Sequence, residues 1–62
     1  MIYDYFVTYI VNDKMDRINF PNFHSMMNFV IDIVKNYSEY EIIIQDNKGR
    51  VIFKYVEIER ES

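Results

Sequence analysis

Residues 21–37 read PNFHSMMNFVIDIVKNY, and this stretch decides the fold. Pro21 has no amide hydrogen to offer a sheet and closes the segment before it. Asn22 then stands where a helix N-cap belongs, its side-chain oxygen able to accept an amide of the first turn. From there Phe23, Met26, Met27, Val30, Ile33, Val34 and Tyr37 recur at helical spacing, while His24, Asn28, Asp32 and Lys35 take the opposite side. The spacing predicts one helix over 23–37, stopped by Asn36 and Ser38. Phe29 and Ile31 flank the apolar stripe, so its arc is wider than packing on one sheet face requires.

On either side of the helix the period changes. Residues 2–11 are almost all β-branched or aromatic and read as a strand. Asn12-Asp13-Lys14 is a turn, because Asn and Asp tolerate left-handed backbone. Residues 15–20 form a more polar return strand. Beyond the helix, residues 39–46 contain Ile42-Ile43-Ile44 and read as a third strand, and residues 50–59 as a fourth. Between them, Asp46-Asn47-Lys48-Gly49-Arg50 is a hairpin signal in which Gly49, the only glycine, supplies the left-handed residue of a bulged turn. Residues 1–62 therefore read as a single α+β domain, ββαββ, with four strands and one helix on one face. The favoured strand order is 2-1-4-3, with strands 1 and 4 parallel at the centre because they are the longest apolar runs. In element order and length this resembles the β-grasp arrangement of the bacterial immunoglobulin-binding domains. The likeness is architectural, and fold alone implies no function.

The composition restricts what such a domain can do. Half of the 62 residues are hydrophobic, the net charge is −3, and there is no cysteine and one histidine. A chain this short buries only about 60% of its unfolded surface and leans on disulfides, metals or association. Disulfides are excluded, a lone His24 does not make a zinc site, and association remains. Charges of both signs are interspersed, which argues against a nucleic-acid groove. Apolar runs are only a few residues long against the roughly 20 needed to cross a bilayer, and Met1-Ile2-Tyr3-Asp4-Tyr5 does not begin a signal peptide. A cytoplasmic location without membrane contact is the expectation. Leu, Ala and Trp are absent while Ile, Asn, Tyr, Phe and Met abound, a usage typical of AT-rich coding in low-GC bacteria and their phages.

No catalytic, cofactor-binding or metal-binding residue stands out. Ser25 adjoins His24 too closely to be served by it as a nucleophile, and no carboxylate is placed behind the imidazole. The acid pairs Asp13 and Asp16, Glu39 and Glu41, and Glu57 and Glu59 need a cleft to do chemistry, and a domain this small has little room for the ~300 Å³ of a typical ligand site. What stands out is the excess of apolar residues on both faces of strands 1 and 4. One helix covers one face, which predicts an aromatic-rich set left uncovered, with Tyr5, Tyr9, Ile43, Phe53 and Tyr55 as the candidate interface. The expected partners are a second copy, a larger protein, or both. The functional expectation is a non-catalytic protein-binding module, such as a phage or mobile-element accessory protein that inhibits a host protein, anti-defence inhibitors included. A self-assembling structural subunit is the alternative, and a DNA mimic a lesser one.

Overall fold

A computed structural model describes residues 4–58. The order of elements is β1 (Tyr5–Val11), β2 (Lys14–Phe20), α1 (Phe23–Asn36), β3 (Tyr40–Asp46) and β4 (Val51–Glu57). The expected α+β class, with one helix on one sheet, is the architecture found. Ile2, Tyr3 and Glu59, which the sequence assigns to strands, lie outside the described residues.

Local signals place each boundary. Val11 faces Lys14 across a two-residue turn in which Asn12 and Asp13 both take positive φ, 55° and 63°, as the twist of a tight hairpin requires. β2 thus begins one residue earlier than the sequence suggests. Asn22 Oδ1 accepts from the Ser25 amide at 2.8 Å, and the helix ends at Asn36. Tyr37, expected to be the last helical residue, is the C-cap in extended conformation, with its amide donating to the Ile33 carbonyl at 3.1 Å. The second hairpin turns through Gly49 at φ +82°, with the Gly49 amide donating to the Asp46 carbonyl at 3.0 Å.

The strand order differs from the expected 2-1-4-3. It is β2-β1-β3-β4, every neighbouring pair antiparallel, so β1 and β3 are central and β4 is an edge. The expectation ranked strands by length and apolar content, which favoured β4. β1 takes β3 as its second neighbour instead, burying Ile42 and Ile44 beneath the helix, while every residue of β4 stays exposed. β2 and β3 run parallel with β1 between them, and α1 is the crossover that joins them. The first and last strands are not neighbours, so the β-grasp likeness does not extend to the sheet.

Antiparallel partners share a face, so the register sorts the side chains. Val7 pairs with Ile18 and Ile44, and Tyr9 with Asp16 and Ile42, all on the helix side. Met26, Val30 and Ile33 descend from α1 onto this face and close a core with Val7, Ile42 and Ile44. Each such side chain contributes roughly 1.5–3 kcal/mol through removal from water. The core is rimmed by rings: Tyr5 meets Phe23 edge-on at 5.8 Å, Tyr9 meets Phe29 at 5.1 Å, and Phe20 meets Phe29 at 5.4 Å. A helix about 10 Å wide spans little more than two strands spaced ~4.8 Å apart. Arriving from β2, α1 packs on β1, β2 and β3 and does not reach β4.

Candidate interaction surface

The five residues singled out from the sequence do not form one surface. Tyr5 and Tyr9 pack against the core under α1, in the ring contacts just described. Ile43 lies on the opposite, open face, half-buried between Thr8 and Lys54, its partners on β1 and β4. Phe53 and Tyr55 share the helix side with the two tyrosines but stand on β4, beyond the helix. The open face is therefore not aromatic-rich. Phe6, Thr8, Ile10, Ile43 and Val56 lie there among Arg17, Glu41 and Lys54, with the Arg17 guanidinium 5.0 Å over the Phe6 ring and Lys54 Nζ 4.0 Å from Glu41 Oε1. Strand alternation sent the tyrosines inward because β1 turns its odd-numbered residues to the helix.

β4 is the apolar surface that remains. All seven of its residues are exposed, and five are large hydrophobics: Val51, Ile52, Phe53, Tyr55 and Val56. Phe53 pairs with Ile44 and Tyr55 with Ile42, so both rings stand directly beside the core. They stack on each other at 6.1 Å with 20° between planes, and remain 42% and 37% exposed. The flank of α1 continues the surface. At about 100° per residue, Phe29 lies to one side of the buried line Met26–Val30–Ile33 and packs toward β1 and β2. Met27, half-buried, and Val34, exposed, lie to the other side, with Ile31 further round toward solvent. The result is a step, with β4 as its floor and the helix flank as its wall. The wide apolar arc of the helix already signalled Ile31. Val34, which the sequence places in the core stripe, is solvent-exposed because the helix stops short of β4.

Electrostatics at the ends of the sheet are local. The Asp46 carboxylate accepts from the amides of Lys48 and Arg50 at 2.9 Å each and from Arg50 Nε at 2.8 Å. Hydrogen bonding from the Arg50 amide is the largest of the causes that hold this carboxyl below its ordinary range, with the Lys48 amide and the Arg50 guanidinium adding to it. Tyr9 is shifted upward, first by burial and then by the neighbouring Asp16 charge. The Tyr9 hydroxyl donates to Asp16 Oδ2 at 3.5 Å, an exposed contact on the sheet rim.

Two open depressions, of about 530 and 620 Å³, flank the Asn12-Asp13 turn, more room than the sequence suggests. The first gathers Asp13, Glu39 and Glu41 beside Tyr37, Tyr40 and Ile58. The second is lined by Tyr9, Asp16, Lys14 and Met15. Among the described residues no three His, Cys, Asp or Glu side chains converge in a way that could hold a metal ion. His24 is exposed on the first turn of α1. No helix among these residues is long and apolar enough to cross a membrane. No protein-family model, curated protein or solved structure matches the chain.

Proposed function

We propose that this chain is a non-catalytic protein-binding module that docks its partner on β4 and the adjoining flank of α1. One observation carries the reading: an edge strand rich in large apolar residues that α1 leaves uncovered. Such edges invite pairing with another chain, and natural domains that avoid pairing blunt them with charge. β2 is blunted in this way along its length, by Lys14, Asp16 and Arg17; β4 has Lys54, Glu57 and an irregularity beside Ile52, yet keeps five large exposed hydrophobics. A strand laid along β4 gains main-chain hydrogen bonds, while its alternate side chains reach the Phe53–Tyr55 floor.

The mode of action that fits is occupation of a surface on a larger protein, as expected of a phage or mobile-element accessory protein that inhibits a host factor. Small size and AT-rich usage support that origin. Imitation of a phosphate backbone has less support, since Asp46 and Glu41 each face a basic side chain. Capture from a lysate of the source cell tests the reading through a matched pair of variants. Phe53→Asp should lose the captured protein while keeping its far-ultraviolet circular dichroism. Met15→Asp, on the other edge and 71% exposed, should retain it. Equal retention by both variants overturns β4 as the docking element.

A further inference from the structure

We infer that the first occupant of the β4 edge is a second copy of this chain, paired antiparallel across a two-fold axis at Phe53 to give one eight-stranded sheet. This rests on the docking role of β4 and names its partner. The two edges of the sheet are unlike, which limits how copies can meet. Pairing β4 with the β2 of a neighbour would set five large hydrophobics against a charged strand and would propagate head to tail without closing. Pairing β4 with β4 closes after two copies and matches apolar with apolar.

The register follows from parity and charge. Directly opposed residues share a face, so the two-fold axis passes through a residue, and residues 53, 54 and 55 are the centres that overlap the strands well. An axis at Lys54 sets the two lysines against each other, and like charges directly opposed destabilise a strand pair. An axis at Tyr55 sets the Glu57 carboxylate against Phe53 on the apolar helix side. An axis at Phe53 has neither fault. It brings Phe53 onto Phe53, which joins the two in-chain ring stacks into one row, while Val51, opposite Gln45 beyond an irregularity in the β3–β4 ladder, turns to the open face. On the open side the Lys54 ammonium stays toward Glu41 in its own sheet. Both helices then stand on the same side, with β4 and its mate as the floor between the Val34 flanks of the two copies. The Ile42-Ile43-Ile44 segment, which as a sheet edge would compete for this role, is interior.

Sedimentation over a wide concentration range should show the 7.7 kDa chain doubling in mass. Phe53→Asp should remain a monomer throughout, and Met15→Asp should still dimerise. The chain has no cysteine, so introduced thiols report the register alone. Phe53→Cys should cross-link to its own counterpart under mild oxidation, because the two Cα atoms would face each other across the axis within disulfide reach. Lys54→Cys, which would meet its counterpart in the Lys54-centred register, should not. A single 7.7 kDa species at every concentration overturns the inference, as does a dimer that survives Phe53→Asp or is trapped by Ile43→Cys on the open face. If the chain is monomeric yet Phe53→Asp still loses a captured protein, the second copy is refuted and the docking role of β4 stands. If neither mass nor capture responds to Phe53→Asp, both are refuted.

Discussion

Gly49 holds φ at +82°, and no atom lies within 4 Å of the place a Cβ would occupy. A side chain there meets open space, so any loss on substitution comes from the backbone alone. Gly49→Val should lower stability by roughly 1 kcal/mol or more, as β-branched residues resist this conformation, and Gly49→Asn by clearly less. Urea midpoints of the two variants check the ranking, and equal midpoints would show that the turn adopts another conformation in solution. Asp46, three residues earlier, links the same turn to pH. Its folded-state pKa is depressed, so the unfolded chain binds the proton more readily, and stability rises with pH through this window. The contribution is fully present above the ordinary carboxyl value of about 3.9 and is lost as pH falls through the lower, folded value. Asp46→Asn should therefore flatten the acid limb of stability against pH and leave the neutral slope unchanged. An acid limb identical to that of the wild type would remove Asp46 from the account.

β3 joins the two halves of the sheet, and its alternation can be tested one residue at a time. Ile42 is fully buried beneath α1 and Ile43 only half-buried on the other face. Ile42→Ala should cost about 2–5 kcal/mol, in the range of core truncations, and Ile43→Ala distinctly less. Equal losses would mean that the open face is as closed as the core, as in a face-to-face dimer. The elements themselves were legible in the sequence because each is marked by residues within a few positions: Asn22 for the helix start, Asn12-Asp13 and Gly49 for the turns. Strand order was not, since it depends on which strand of the second hairpin meets β1, a choice made between residues about 40 apart. The apolar content of β4 suggested a central strand, whereas β4 is an exposed edge. The candidate surface was divided for the same reason. Tyr5, Tyr9, Phe53 and Tyr55 look alike in sequence and share a sheet face, and only the reach of the helix separates the first pair from the second.

At the scale of the molecule, β1 is bonded on one side to its own hairpin partner and on the other to β3, which follows it only after β2 and the whole of α1. The chain is thus two short-range hairpins sewn along one long-range seam, from Tyr5–Asp46 to Ile10–Glu41, with the helix laid over the stitching. Either hairpin can close in microseconds, whereas the seam must wait for a loop that spans the helix. The rate of folding should therefore be set at the seam. Val7→Ala and Ile44→Ala should slow folding in proportion to the stability they remove, while Gly49→Val should act mainly by speeding unfolding. Stopped-flow chevrons distinguish these cases, and a folding arm more sensitive to Gly49 than to Val7 would put the bottleneck in the second hairpin. For as long as the seam is open, β1 and β3 each expose an unpaired inner edge. In that interval two nascent chains can exchange C-terminal hairpins, so the crossover that organises the native sheet also opens a route to domain-swapped pairs.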